Sequence, residues 1–415
     1  MKSLPVYWKH VLTVLGGTLG AQALPLLAAP LITRLCSPAD MGVFSVWFGM
    51  VAVTAVAATL RLEAALILDR NRYHQRIGLG VVAWAAAAIA LAASAAVAIA
   101  HVAGVPLAAR IPWFGIAALA PAVWLTAYMQ STLAYATSQA AFGKAAHAKI
   151  WSAGSIALVQ VALLAAGAGA AALLLGQVAG LAVGLLAATL LVRPPRPALG
   201  WRPHPQARRY LRRHAAFWQF SLPSNLLNAL VGQLPLFMIG TRHGALAAGL
   251  FALTQRVLTA PIALLASSVL EVFKRESVLA FRAQGNCRAA YLYTFKTLFL
   301  LGAGPSVLLL LLSPPLFVWV FGEEWRRAGE LAQIMAPLYF LNFIASPLSY
   351  VFFVAGKQKI DLVWQVALFL MTVTVFTLPG SLEQSVTRYV LGYSILYLIY
   401  LRMSYQCSGK GVALA

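Results

Sequence analysis

Charge is scarce in this chain, and negative charge scarcest. Of 415 residues only 10% are charged, and Asp and Glu together number 10. So little polar material cannot clothe a water-soluble body of this length, which excludes a soluble globular protein. Cysteine is nearly absent too. Cys36, Cys287 and Cys407 form no CxxC pair and no Cys/His spacing, so neither a disulfide framework nor a zinc site is implied. No Ser/His/Asp grouping, metal-ligand cluster or glycine-rich phosphate loop stands out, so nothing motivates an enzyme or a cofactor. The net charge of +21 invites a nucleic-acid partner. Lys and Arg are spread over short connectors, however, and no compact basic domain exists to hold nucleic acid.

What is present is oil. The composition is 61% hydrophobic and the mean hydropathy is +0.81. A bilayer core takes about 20 residues of helix. On that ruler twelve spans emerge, near 11–33, 42–68, 77–100, 113–138, 150–167, 170–192, 217–240, 246–273, 294–319, 330–354, 362–379 and 387–402. The opening MKSLPVYWKH and the apolar run behind it resemble a signal peptide. That run is longer than a signal core of roughly 7–15 residues, so it is read as the first span.

Connector charge sets the orientation. Of 31 Lys and Arg, 23 fall in even-numbered connectors and the termini. The odd-numbered connectors hold six: Arg34, Arg110, Arg242, Arg326, Arg327 and Arg388. By the positive-inside rule both termini are expected in the cytoplasm. The largest basic connector, RPPRPALGWRPHPQARRYLRRHAA at 193–216, separates an N-terminal bundle (1–192) from a C-terminal one (217–415). It reads as a topology-fixing linker, or as an amphipathic segment on the anionic inner leaflet.

The halves echo each other. GKAAHAKIW at 143–151 and GKQKIDLVW at 356–364 share Gly, Lys and Trp at an offset of 213 residues. MGVFSV at 41–46 faces AGLFAL at 248–253 at an offset of 207. Six spans per half is an even number, so the halves share one orientation. The expected fold is therefore an all-α polytopic membrane protein. Two six-helix bundles would be related by a pseudo-twofold along the membrane normal, with a central cavity.

Two arginines lie inside spans. Arg256 stands about ten residues into its span, hence ~15 Å along the helix. There an Arg costs at least ~2.5–3.5 kcal/mol unless it meets water or a partner. It is either a structural cation or one that faces a cavity and an anionic substrate. Arg61 and Glu63, in ATLRLEAALIL at 58–68, lie near the inner boundary, where snorkelling is cheap. On a regular helix residues i and i+2 point to different faces, so the two are not expected to pair. Glu271 falls within one residue of the repeat-related position of Glu63. The two carboxylates could therefore steer a proton, a sodium ion or Arg61. Polar stripes support a wet interior: Thr18, Gln22 and Pro25; Ser221, Ser224, Asn225 and Asn228; Asn342, Ser346 and Ser349. Each stripe could equally be interhelical hydrogen-bonding glue.

The connection TRLCSPADMG at 33–42, the Arg61/Glu63 pair and QRVLTAP at 255–261 resemble the Wzx-type polysaccharide flippases. These belong to the multidrug/oligosaccharidyl-lipid/polysaccharide exporter superfamily. The recognisable motifs cover about a quarter of the chain. The resemblance implies a multi-pass protein of the bacterial inner membrane. Its cargo would be an undecaprenyl-pyrophosphate-linked oligosaccharide (an O-antigen, capsule or exopolysaccharide repeat unit), moved by alternating access. Implied partners are membrane lipids and polysaccharide assembly proteins, with H+ or Na+ as coupling ion. Arg256, Arg61, Gln255, Gln22, Asn225, Asn228 and Asn342 would bind substrate, and Glu63 and Glu271 would carry the ion or form salt bridges. The alternatives are a drug/cation antiporter of the same superfamily and a lipid II transporter. A membrane polysaccharide polymerase or ligase fits less well, because it would need a large outer loop.

Overall fold

The computed structural model describes residues 20, 23–69, 71–197 and 205–409. Among them every regular element is helical. Seven helices or helix runs are long and apolar enough to cross a membrane, and the chain is a multi-pass membrane protein. The expected first span lies partly outside the described residues, as do Thr18 and Gln22. The chain forms two compact units, Met1–Gln233 and Leu234–Ala415.

The first unit runs α1 (Ala23–Leu35), α2 (Pro38–Ala58), α3 (Leu62–Leu68), α4 (Arg72–Val102), α5 (Pro106–Ala109), α6 (Trp113–Ser138), α7 (Phe142–Ala165), α8 (Gly169–Val192) and α9 (Pro205–Arg213). Helix α10 (Leu222–Gln284) begins in this unit, after a π-helical turn at Phe217–Ser221. The start of α2 shows why the SPAD stretch folds as it does. Ser37 is the N-cap, accepting from the Asp40 amide at 3.2 Å, and Pro38 occupies the first turn, where its missing N–H costs nothing. Asp40 also accepts from the Ala170 amide at 3.1 Å, tying α2 to the start of α8. Deeper in, the fully buried Trp47 donates Nε1–H to the Gly115 carbonyl at 2.8 Å.

Helices α7 and α8 form a tight hairpin whose turn falls in the AAGAGAA stretch, where the fifth and sixth spans were divided. Gly176, Gly180 and Gly184 lie four apart on one face of α8. A Cβ on any of them would collide with Gln160, Ile156 or Ser152 of α7 respectively. Small residues at this spacing let backbones approach where lipid supplies no hydrophobic drive. Polar cross-links follow from that proximity: Ser152 Oγ donates to the Gly180 carbonyl at 3.2 Å and Gln160 to the Leu173 carbonyl at 2.9 Å.

The second unit contains the rest of α10, then α11 (Arg288–Phe321), α12 (Arg326–Leu348), α13 (Val351–Val354), α14 (Gln358–Thr377) and α15 (Leu382–Ser408). Gly244, at φ 95°, breaks α10 where the seventh and eighth spans were separated. Thr254 Oγ1 donates to the Ala328 carbonyl at 2.8 Å, pinning α10 to the start of α12. Arg242 donates to the Leu378 carbonyl at 3.1 Å. A capping box at Ser381 and Gln384 starts α15.

Two expected spans are not single helices. Residues 42–68 break between α2 and α3, with Leu60 at φ 50° and Arg61 at φ 57°. Residues 330–354 break between α12 and α13, just after Pro347. The basic 193–216 stretch is also more than a linker, since its second half is α9, packed into the first unit. The two compact units meet inside α10, after Gln233.

Candidate functional site

In the first unit the candidate site is the break itself. Thr59 closes α2 and its Oγ1 accepts from the Arg61 amide at 3.3 Å. Two consecutive non-glycine residues then take left-handed backbone, a geometry that costs about 1–2 kcal/mol per residue. This turn swings Arg61 Nη1 to 2.9 Å from Glu63 Oε1. The expectation that the two would not pair is thereby corrected: it assumed a regular helix, and the helix is not regular there. The side chains are 32% and 15% exposed. Among the described residues, Arg61 Nε and Glu63 Oε2 are buried with no hydrogen-bond partner. One donor and one acceptor thus remain available beside the pair.

Glu271 is placed differently. It stands 73% exposed on an unbroken stretch of α10, bridged to Lys274 at 2.8 Å. It does not reproduce the half-buried setting of Glu63, because nothing corresponding to the 59–61 turn precedes it.

Arg256 lies on α10 in the second unit and is exposed. Among the described residues no carboxylate comes within ion-pair distance of it. Beside it Gln255 is half-buried, and the phenol of Tyr339 lies in hydrogen-bonding reach of Thr259 and Gln255. Asn342, half-buried, is one helical turn along α12 from Tyr339. Asn225 donates to the Ser221 carbonyl at 2.8 Å, which makes it partly backbone glue, while Asn228 is exposed. Both precede the break in α10 and belong to the first unit. Gln22 lies outside the described residues.

Two groupings escaped the sequence reading. Tyr389, Tyr393 and Tyr397 line one face of α15, with successive ring centroids 5.4 and 4.8 Å apart. Trp364 of α14 packs 5.2 Å from Tyr397 and 4.4 Å from Tyr400. The spacing of four was the available signal. The second grouping is Asp69, Tyr210 and His214. Asp69 is buried at the end of α3, and Tyr210 of α9 donates to its Oδ2 at 2.9 Å. His214 Nε2 approaches the same oxygen at 3.4 Å. Asp69 stood at a presumed span end, and its partners lie in a connector, so no local pattern marks the group. Burial pushes the His214 imidazole below its ordinary value, helped by Arg213 and His74 and opposed by Asp69. Burial and the Asp69 carboxylate push the Tyr210 phenol up.

The fold resembles those of solved membrane transporters, one of them described as belonging to the MOP superfamily. The chain matches lipid II flippase MurJ in an inward closed conformation with a TM-score of 0.72 at 13% identity, over 94% of this chain and 86% of that one. It matches an inward-facing multidrug resistance MATE family transporter with a TM-score of 0.64 at 14% identity, over 93% and 94%.

Residues 31–330 match the family described as "Polysaccharide biosynthesis protein", and the chain belongs to that family. The teichuronic acid biosynthesis protein TuaB of Bacillus subtilis (strain 168) is 25% identical over 158 residues. That alignment covers 38% of this chain and 32% of TuaB, about a third of the relative's length.

Proposed function

We propose that this protein flips an undecaprenyl-pyrophosphate-linked oligosaccharide from the inner to the outer leaflet of a bacterial plasma membrane by alternating access. Both termini would be cytoplasmic. Two six-helix halves, 1–192 and 217–415, would rock about a central cavity. The internal repeat supports this arrangement, and the charge of the connectors supports the orientation.

The observation that carries the reading is Arg256, an exposed cation on an apolar helix, without a carboxylate partner among the described residues. A diphosphate supplies the missing charge and suits a planar guanidinium, which can engage phosphate oxygens bidentately. Gln255, Thr259, Tyr339 and Asn342 add donors and acceptors for sugar hydroxyls, and Tyr393 adds a half-buried ring face. Arg61 and Glu63, with a free donor and a free acceptor, suit a second contact to the head group or a coupling proton or sodium ion. MurJ is named for flipping lipid II and TuaB for teichuronic acid biosynthesis. Both names accord with a lipid-linked glycan as cargo.

The test is a reconstituted flipping assay with a lipid-pyrophosphate-linked glycan. Arg256→Ala removes a charge-assisted contact of about 1.5–3 kcal/mol, so transport falls roughly tenfold or more. Arg256→Lys restores part of it. Full activity in Arg256→Ala would make Arg256 structural. Cation efflux without glycan flipping by the wild type would replace this reading with antiport.

A further inference from the structure

The far end of α10 and the first turns of α11 enclose a groove of about 920 Å³, within the about 300–1,000 Å³ typical of ligand sites. Val272, Leu279, Ala280 and Ala283 line it from α10, and Ala290 and Tyr293 from α11. Val272, Leu279 and Tyr293 are 64%, 51% and 76% exposed, so the apolar wall is open to its surroundings. Glu276 stands in that wall. It is exposed, and among the described residues it has no ion-pair partner. Arg275 and Arg282, also exposed, flank the lining stripe two turns apart on the same helix. Neither has a carboxylate partner among the described residues.

Position narrows the occupant. From residue 245 to Gln284 the helix is about 60 Å long at 1.5 Å per residue, against a hydrocarbon core of about 30 Å. The groove begins at Ser268, about 35 Å from residue 245 at that rise, so its near end lies at head-group depth. Its walls are mostly apolar, Glu276 is the charged side chain in them, and Arg275 and Arg282 lie beside the lining stripe. A purely anionic lipid would satisfy the two guanidinium groups but would face the Glu276 carboxylate.

We propose that this groove binds a zwitterionic phospholipid whose head group joins a phosphate to a primary ammonium, that is, phosphatidylethanolamine. Its ammonium donates to Glu276, its phosphate accepts from Arg275 and Arg282, and an acyl chain lies against Val269 and Val272, on the membrane side of Glu276. Phosphatidylglycerol offers no cation to Glu276. The quaternary ammonium of phosphatidylcholine has no N–H to donate. The inference rests on membrane insertion alone and is independent of which cargo the protein moves.

Native mass spectrometry of the purified full-length protein, with the three lipids in competition, tests it. Phosphatidylethanolamine should be retained about tenfold over the other two, the worth of one charge-assisted hydrogen bond. Glu276→Gln should abolish the preference over phosphatidylglycerol, and Ala280→Trp, which fills the groove, should abolish retention of all three. Should Ala280→Trp fail to fold, the Arg275→Gln/Arg282→Gln double variant, which alters only exposed side chains, should lower retention of phosphatidylethanolamine and phosphatidylglycerol alike. Equal retention of all three lipids by the wild type, or phosphatidylethanolamine binding untouched by these substitutions, overturns the proposal. So does displacement of lipid by a co-purifying peptide.

Discussion

Tyr210 Oη lies 2.9 Å from Asp69 Oδ2 across 141 residues of sequence. This contact makes a piece of the basic connector part of the first unit. The phenol can reach the carboxylate because position 78 is glycine, where a Cβ would stand 2.5 Å from the hydroxyl. Leu62, Ala65, Ile77 and Val82 surround the ring. A buried acceptor that loses its donor costs about 1–3 kcal/mol. Tyr210→Phe should therefore lower thermal stability by that order and speed trypsin cleavage after Arg208, Arg209, Arg212 and Arg213, whose side chains are already exposed on α9. Gly78→Ala should do the same by displacing the ring. Unchanged cleavage in both would mean that α9 is held by other contacts.

His214 makes the same anchor sensitive to pH. Its folded value is depressed below the ordinary 6.5, so between the two values the unfolded chain binds a proton that the folded one refuses. Stability is thus fully present above about 6.5 and is lost as pH falls below it, toward the depressed folded value. Melting curves between pH 7.5 and 5 should shift downward in the wild type and less so in His214→Gln. A wild-type curve that rises on acidification would show that the protonated ring is welcomed by Asp69.

The strained turn at Arg61 separates backbone cost from side-chain function. Glycine takes φ 57° without penalty, whereas alanine keeps the strain and loses the ion pair as well. Arg61→Gly should therefore be more stable than Arg61→Ala by about 1 kcal/mol. Both should transport poorly if the guanidinium meets the cargo. Equal melting temperatures for the two would show that the left-handed turn is not populated in the membrane.

Helix contact in the first unit should respond sharply to one methyl group. Gly180→Ala drives a Cβ into the backbone of Ile156, and overpacking of this kind costs about 1–3 kcal/mol. Gly304 on α11 has nothing within 4 Å of its Cβ position, so Gly304→Ala should be neutral, or stabilising by up to about 1 kcal/mol. A thermal-unfolding comparison decides. Equal effects would mean that α7 and α8 are looser than this packing requires.

Much of the architecture is written in single-letter patterns, because lipid imposes a severe rule. Every backbone group must bond within its own helix, and each crossing needs a long apolar run. Hence the helical class, the hairpin at AAGAGAA and the break near Gly244 were all legible in the sequence. So was the oddity of Arg256, since an arginine within an apolar run is conspicuous wherever it points. The Gly176, Gly180 and Gly184 spacing was equally open to view and was passed over.

What the chain order conceals is anything that depends on a departure from helical regularity, or on which distant face meets which. The pairing of Arg61 with Glu63 requires two left-handed residues, and no propensity announces those at Leu60 and Arg61. Only packing around Leu62 and Thr59 makes the turn worth its strain. Asp69, Tyr210 and His214 carry no local signature because each is ordinary where it stands. Their meaning arises when α9 folds back onto α3 and α4. Local backbone chemistry and the bilayer determined the helices; the choice of partners was left to close packing, which one-dimensional order does not encode.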